Sequence, residues 1–373
     1  MDRLFPQKQS GIVLIVVILA ISLMLILVTL MIEGQHIFVR GLANQKISEQ
    51  GFQYSQGLNS WAERVLHDDS NRIVDSLNEE WAKFGRPQPE AQDEQSESFS
   101  LNRSTARGLQ GAKDEAEQAS IDFGIDSIEV TIDDLQGRYN LNNIAIKDPK
   151  LRSGQKHVFL NLLKQLEIGE FDERDRLYGV LLDWLDDNEA RSLNGLESSD
   201  YQIKNNPYYA ADQKLTSLGE LRYLDGYTPE IINKLKPFVT VLPLEDAKIN
   251  INTTSSEVLA SLSAGKVENV SSVAGFLALR QMPDFTGFQP NQINDAQSAI
   301  IGVSLISAQP VANMMQVNSQ FFQINTKVTL GEYQVCMRSV VKRESPNLNS
   351  VTTSKVSVLS REHSTLCEHE ENS

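Results

Sequence analysis

One stretch of the chain is continuously apolar, and it lies close to the N-terminus. Residues 12–32 contain no charged side chain, and their only polar members are Ser22 and Thr29. In a helix that rises about 1.5 Å per residue, this run can cross a hydrocarbon core of roughly 30 Å. The pattern predicts one transmembrane helix.

The helical pattern continues beyond the apolar run. Apolar residues recur at roughly helical spacing through residues 33–80, although glycines at 34, 41, 51 and 57 favour gentle bends. We therefore expect a membrane helix that continues as an amphipathic helix and packs on a globular head. The residues of this apolar stripe are Ile37, Phe38, Leu42, Ile47, Leu58, Trp61, Val65 and Leu66.

The remaining pattern changes twice along the chain. Residues 85–120 are rich in Gln, Glu, Ser, Pro and Gly and predict a surface loop. Residues 125–132 alternate as in a strand, and a turn at 136–137 makes a hairpin plausible. Strand signals return at 321–330, 333–342 and 352–359.

Helical periodicity dominates between these strand signals. Thr254 with Glu257 three residues later is a capping-box signal for one of the helices. Sheet, then helices, then sheet predicts a helical domain inserted into a β-sheet domain. The predicted helices cover 158–166, 174–185, 217–224, 230–235, 255–262 and 273–280. The predicted units are a leader at 1–11, the transmembrane helix at 12–32, its extension at 33–80, the first part of the β domain at 81–142, the inserted domain at 143–320 and the returning β domain with its tail at 321–373.

Charge sets the topology and excludes one class of partner. The formal net charge of -15 repels nucleic acid and anionic lipid head groups. Arg3 and Lys8 precede the apolar run and acidic residues dominate after it, so the N-terminus is expected in the cytoplasm and the bulk of the chain outside the inner membrane.

The residues before the apolar run favour removal of a leader. An uncleaved signal anchor or a secretory signal peptide is the simpler interpretation, but the run is longer than a secretory core and no Ala-x-Ala follows it. A short basic leader that ends in Gly11 and is followed at once by Ile12 looks like a substrate of prepilin peptidase.

Four segments in this order resemble the K-type minor pseudopilins of type II secretion systems. They are QSG before IVLIVVILA, DLQGRYNLNNI at 134–144, LLDWLDDNEARSLNGLESSDY at 181–201 and ININTTSSEVLASL at 249–262. The resemblance implies an α+β fold in which a pilin-like helix packs on an antiparallel β-sheet with a large inserted all-α domain of SAM-like or helix-hairpin-helix-like type. It implies an assembly subunit at the pseudopilus tip and not an enzyme.

The resemblance also implies the partners of the chain. They are minor pseudopilins of the I and J types, prepilin peptidase and the inner-membrane secretion platform. Most pilins carry Glu at the fifth residue after the cleavage site, whereas this chain has Val16 there. K-type subunits characteristically lack this Glu. Two residues depart from the usual pattern: Ile12 opens the mature chain, which leaves its methylation open, and Ala190 stands where Pro is expected.

An acidic segment is the candidate metal site. Asp186 and Asn188 are two residues apart and Glu197 follows at the spacing of the bidentate Glu of an EF-hand, but Ala190 and Arg191 break that motif. Composition alone favours a solvated loop; the resemblance to K-type pseudopilins favours calcium. The predicted ligands are Asp186, Asn188, Glu197 and Asp200.

Two further features leave alternatives open. Export and an even count predict a disulfide between Cys336 and Cys367, unless geometry keeps both free. The 249–262 segment also looks like a helix-hairpin-helix module, so a membrane-tethered DNA receptor is an alternative, although acidic flanks favour a structural role. A minor pilin of a type IV pilus is the other alternative.

Overall fold

A single long helix leads from the apolar N-terminal run into the body of the protein. The computed structural model describes residues 10–69, 71–83, 125–263, 273–280, 282, 285–301, 309–344, 355–364 and 367. Helix α1 is continuous from Ser10 to Asp68, so the transmembrane segment and its extension form one element. The predicted surface loop at 85–120 lies outside the described residues.

The other elements comprise nine shorter α-helices, eight strands and several 3₁₀ turns within the described ranges. The helices are α2 (Glu80–Lys83), α3 (Pro149–Gln165), α4 (Phe171–Leu185), α5 (Ser198–Gln202), α6 (Pro229–Leu235), α7 (Ser256–Ser261), α8 (Ala274–Arg280), α9 (Ile293–Ile301) and α10 (Gln309–Ala312). The strands are β1 (Ser127–Asp134), β2 (Tyr139–Asn140), β3 (Val239–Thr240), β4 (Ile249–Asn250), β5 (Met315–Gln316), β6 (Phe321–Leu330), β7 (Tyr333–Arg343) and β8 (Val356–Ser364).

The distal half of α1 packs on a four-stranded antiparallel sheet. Its strand order is β1–β6–β7–β8, and Asp134 at the end of β1 lies opposite Phe322 near the start of β6. The chain therefore leaves the sheet after Asp134, forms the helical part, and returns at Phe321 beside the strand that it left. This is the pilin-like α+β fold with an inserted helical domain.

Close packing of α1 on the sheet depends on a small residue in the helix. A Cβ atom at Gly51 would lie 2.5 Å from Cγ2 of Val335 on β7, so the helix approaches the strand closely at this glycine. Further along, apolar side chains from α1, α2 and the sheet form a common core. Its buried members are Ala62, Leu66, Trp81, Ala82, Val130, Ile132, Phe322, Ile324 and Val341.

The hairpin predicted around residues 136–137 is wrong. Leu135–Gly137 is a 3₁₀ turn, and the Gln136 amide donates to Oδ1 of Asp134 at 2.8 Å. Strand β2 then pairs in parallel with β3, with Tyr139 opposite Val239, instead of folding back on β1. Tyr139 is fully buried in the core of the helical domain. To bury this side chain there, the backbone must leave the sheet.

The predicted capping box at Thr254 is also wrong. Ser255 is the N-cap of α7, and its Oγ accepts a hydrogen bond from the Val258 amide at 3.3 Å. Thr254 is fully buried one residue earlier. The predicted helix at 217–224 takes the tighter 3₁₀ form over Leu218–Tyr223.

A buried polar network joins the helical domain to the sheet. Oδ2 of Asp134 accepts hydrogen bonds from Ser319 Oγ at 2.5 Å, Thr253 Oγ1 at 2.6 Å and Asn250 Nδ2 at 3.1 Å. Burial raises the pKa of Asp134, and these donors oppose that shift. Because every partner comes from the junction, the network determines how the two parts meet.

Candidate functional site

The N-terminal part of α1 is suited by length and composition to cross a membrane. Residues Ile12–Ile32 are apolar and none of the segment is buried inside the protein. Val16, the fifth residue after Gly11, is 58 % exposed on this surface. The bond between Gly11 and Ile12, at which leader removal is predicted, lies in the first turn of α1.

The two cysteines meet at one end of the sheet. Cys336 lies on β7 opposite Ser364, and Cys367 follows the end of β8. The structure joins the two residues in a disulfide with their Cα atoms 5.5 Å apart. A covalent link at this place fastens the end of edge strand β8 to its neighbour.

The acidic loop, residues 186–197, runs back along the helix that precedes it. It connects α4 to α5, and a Cβ atom at Gly195 would lie 2.0 Å from Oδ2 of Asp183. A Cβ atom at Gly179, one turn earlier on α4, would lie 2.6 Å from the Leu193 carbonyl oxygen. Glycine at both positions therefore permits the loop backbone to lie against α4.

The returning loop is held by a carboxylate on α4. Asp183 is fully buried, and its two oxygens accept from the Ser192 amide at 3.0 and 3.1 Å. Burial raises the pKa of Asp183, and the Ser192 donor opposes the shift. The loop thus returns through backbone contacts, while Leu193 is 79 % exposed and contributes little apolar burial.

Glu197 ends the loop with an unsatisfied buried carboxylate. The residue is 3 % exposed, and neither Oε1 nor Oε2 has a hydrogen-bond partner in the part of the chain that the structure describes. Burial, followed by the charges of Asp183 and Asp186, raises the pKa of Glu197 to about 7. A buried carboxylate among other carboxylates is costly unless a cation accompanies it.

Only some of the other predicted calcium ligands lie close to one another. Asp186 Oδ1 accepts from the amide and from Nδ2 of Asn188, at 3.2 and 2.7 Å. Asp200 forms an ion pair with Arg191 and accepts from the Glu197 amide at 3.0 Å. Across the described ranges, the carboxylates of Asp186, Glu197 and Asp200 do not form a group whose oxygens all lie within 4.8 Å.

Three other carboxylates do lie within this distance of one another, and the sequence analysis did not identify them. One oxygen from each of Asp69, Asp75 and Glu79 lies within 4.8 Å of the others. Arg343 donates to Asp69 at 2.6 Å and to Asp75 at 2.5 Å. Trp81 Nε1 donates to Glu79 at 2.7 Å. Protein donors therefore already bind these carboxylates. The three acidic residues are near one another along the chain, but no local pattern indicates that the distant Arg343 pairs with two of them.

Comparison with known proteins agrees on one family. A family model described as "Type II secretion system (T2SS), protein K" matches residues 137–244. The type II secretion system protein K of Pseudomonas aeruginosa is 28 % identical over 90 % of this chain and 90 % of its own length. That of Aeromonas hydrophila is 25 % identical over 91 % of this chain and 95 % of its own length. Residues 137–244 therefore match the model of the protein K family, and the chain is similar over most of its length to protein K of type II secretion systems.

A solved structure has the same fold as this chain. A chain in the crystal structure of the GspK-GspI-GspJ complex from the enterotoxigenic Escherichia coli type 2 secretion system superposes with a TM-score of 0.63. It is 22 % identical, and the alignment covers 86 % of this chain and 98 % of that chain. The match confirms the fold class inferred from the sequence.

The family match covers the acidic loop. The matched residues 137–244 include the two glycines, the buried Asp183 and the unsatisfied Glu197. The sequence pattern placed Glu197 among the ligands. Asp183, within an otherwise apolar helical stretch, was part of the acidic cluster but not of the predicted ligand set. A buried Asp at the C-terminal end of an amphipathic helix is the signal that could have identified it.

Proposed function

We propose that this chain is a structural subunit without enzymatic activity that caps the pseudopilus tip and starts its assembly for export of folded proteins. The observation that carries the proposal is Val16 in an exposed apolar helix with no carboxylate in residues 12–32. An internal subunit needs a carboxylate there to pair with a neighbour's N-terminal amine. A charge at the bilayer centre costs about 2.5–3.5 kcal/mol on insertion scales, so it is retained where it is used.

The partners that fit this role are minor pseudopilins of the I and J types. The related solved chain comes from a complex with GspI and GspJ, and its fold is shared by this chain. Prepilin peptidase and the inner-membrane secretion platform complete the proposed set, with residues 1–11 cytoplasmic and the bulk of the chain in the periplasm. Methylation of Ile12 would follow leader removal.

The alternatives receive less support. In the 249–262 segment, the Asn250 and Asn252 side chains point into the domain junction, where Asn250 bonds to Asp134 and Asn252 to the Val317 carbonyl. That placement and the net charge of -15 favour a structural role over DNA binding. Similarity to protein K of type II secretion systems favours secretion over a type IV pilus.

Position in the filament tests the proposal. We expect the gold-labelled protein to occur at one end of purified pseudopili and to be absent from that end in cells without the I-type and J-type subunits. A Val16→Glu variant should give at most a small gain along the filament, because one carboxylate does not supply the other internal contacts. Equal labelling along the whole filament contradicts a capping role.

We further propose that the acidic loop binds calcium. The unsatisfied oxygens of buried Glu197 support this, since Ca²⁺ takes carboxylate, amide and carbonyl oxygens in irregular geometry. Asp186 and Asn188 would complete the ligands on the exposed side, and Asp200 would join only after release from Arg191. Bound calcium would supply the positive charge that this carboxylate group lacks.

Calcium is expected to raise the thermal stability of the wild-type chain. When free Ca²⁺ is a hundred times the dissociation constant, binding linkage stabilises the folded state by about 2.7 kcal/mol. Glu197→Gln should lose most of this shift while melting in EGTA at least as high as wild type, because it removes a buried charge. Thermal unfolding of the full chain in detergent, with calcium or EGTA, measures both.

An exposed carboxylate provides the matched control for this experiment. Glu230 lies in the first turn of α6, away from the acidic loop in sequence, and is exposed. Glu230→Gln should keep the full calcium shift. If calcium shifts neither the wild type nor the variants, or shifts Glu197→Gln as much as wild type, the acidic loop is a solvated loop without a bound ion.

A further inference from the structure

A cavity of about 290 Å³ lies where the segment after α1 meets the inserted helical domain. Leu77, Leu277 and Phe285 provide apolar wall, and Thr254, Arg280 and Asn78 provide polar wall. The cavity is separate from the acidic loop and from the membrane helix. Its size suits a small ligand or the end of a chain, and its mixed wall suits a group that is charged at one end and apolar at the other.

Arg280 is a partly buried cation without a carboxylate partner among the described residues. It is the last residue of α8, and its Nη1 donates to the Thr254 carbonyl oxygen at 2.6 Å. Burial lowers the pKa of Arg280 to about 10, so it stays charged at neutral pH. A guanidinium has five N–H donors in a planar fork, and one backbone carbonyl leaves most of them available.

Thr254, another residue of the cavity wall, has an unsatisfied hydroxyl. Its side chain is fully buried, and Oγ1 has no hydrogen-bond partner in the described part of the chain. Buried polar atoms are almost always hydrogen-bonded, so this hydroxyl beside Arg280 lacks an acceptor, which a ligand could supply. Both groups can donate, which is the requirement for binding an anion.

The two asparagines in the cavity wall, Asn78 and Asn252, are hydrogen-bonded to backbone carbonyls of the protein. Asn78 Nδ2 donates to the Phe285 carbonyl at 2.5 Å, and Asn252 Nδ2 donates to the carbonyls of Phe288 and Val317. These bonds hold the segment after α1 against the loop that follows α8. The cavity is therefore formed before any ligand enters, and a ligand inside it would contact both sides of the domain junction.

We propose that this cavity binds a carboxylate that carries a short apolar chain, supplied either by a free small acid or by the C-terminus of a polypeptide. The guanidinium fork of Arg280 matches the two oxygens of a carboxylate, and the Thr254 hydroxyl adds a third donor. Leu77, Leu277 and Phe285 would cover the apolar chain. An inorganic anion would leave that apolar wall uncovered.

Ligand-observed NMR on the full chain in detergent micelles tests the ligand class. The probes are pentanoate, its neutral match pentanamide, inorganic phosphate, and a tripeptide of apolar residues with a free or an amidated C-terminus. We expect saturable binding of at least one carboxylate probe and binding at least about tenfold weaker for its amide. Pentanoate alone would indicate a free acid, and the free peptide binding more tightly would indicate a polypeptide C-terminus.

Three variants test the assigned residues. Arg280→Gln should weaken binding of the carboxylate probe by about tenfold or more, and Thr254→Val by a few-fold, because a charged and a neutral hydrogen bond are lost. Arg222→Gln, at an exposed arginine in the same domain, should leave binding unchanged. Arg280→Gln should not lower the melting temperature, since it removes an unpaired charge.

Several results would overturn the proposal. They are absence of saturable carboxylate binding by the folded wild type, equal binding of acid and amide, tighter binding of phosphate than of either acid, and unchanged binding by Arg280→Gln. A large loss of thermal stability in Arg280→Gln would instead identify Arg280 as a structural residue that holds the Thr254 carbonyl.

Discussion

Arg343→Met is expected to lower the free energy of unfolding by about 3–5 kcal/mol. Arg343 is 3 % exposed at the end of β7 and pairs with Asp69 and Asp75, which follow α1. Asp75 also accepts from the Ser319 amide at 2.6 Å, at the point where the chain re-enters the sheet. Removing the guanidinium leaves the fully buried Asp75 without its cation, and that is the source of the large cost.

The charged state of the Asp75 carboxylate depends strongly on Arg343. Burial raises the pKa of Asp75 to about 6, and the Arg343 charge and hydrogen bond oppose that rise. In Arg343→Met the opposing contributions disappear, so we expect the carboxyl to bind a proton on folding at neutral pH. A double variant with Asp75→Asn should recover part of the lost stability, because the uncompensated buried charge is then gone.

Denaturant unfolding of the full, disulfide-bonded chain in detergent, followed by tryptophan emission, measures the cost. Trp81 packs edge-on against Phe322 at 5.1 Å between ring centroids, so its emission reports the same junction. Arg361→Met is the matched control. Arg361 pairs with Glu63 across the same helix–sheet interface but is partly exposed, so its removal should cost no more than about 1 kcal/mol. Equal costs for the two arginine variants would show that the Arg343 network contributes little.

Gly11→Val is expected to abolish removal of the leader. Gly11 lies in the first turn of α1, directly before the apolar segment Ile12–Ile32. Glycine is a poor helix former, so this end of the helix opens easily, and it presents no side chain beside the bond to be cut. Valine adds a β-branched side chain at that point while keeping the segment apolar, so membrane insertion should be preserved.

Intact mass and N-terminal sequencing of the membrane-purified protein measure processing. In cells with active prepilin peptidase, wild type should begin at Ile12, and Gly11→Val should retain Met1. Ser10→Ala serves as the control, since it changes the neighbouring residue to another small one and should be processed normally. A wild-type protein that keeps Met1, or a Gly11→Val protein that is processed as wild type, contradicts the cleavage assignment.

Much of the candidate site could be inferred from local sequence. An unbroken apolar run is visible without any knowledge of the fold, because the membrane acts on composition over consecutive residues. The acidic character of residues 183–200 is equally local. Together with the spacing of Asp186 and Glu197 and the family resemblance, it placed Glu197 among the candidate ligands. The spacing did not show that Arg191 forms an ion pair with Asp200, or that the Ser192 amide donates a hydrogen bond to Asp183. Both contacts depend on the path of the loop backbone.

The fold was predictable where one periodicity governs a long segment. The predicted strands at 321–330 and 333–342 correspond to β6 and β7, whose burial alternates from residue to residue because one sheet face packs on α1. The prediction of a hairpin after β1 failed because it depended on a short local signal and not on a long periodic segment. A turn signal at 136–137 describes only a change of direction, and the burial of Tyr139 decided where the chain went next.

By itself, the sequence determined the membrane helix, the sheet–helix–sheet order and the family resemblance, since each depends on residues that are near one another along the chain. Only the tertiary structure decided which polar groups are buried together. Arg343 meets Asp69 and Asp75, and Arg280 faces the cavity beside Thr254, because packing of the inserted domain against the sheet brings distant segments into contact. Burial then decides the energetics, since the same charges in water would interact only weakly.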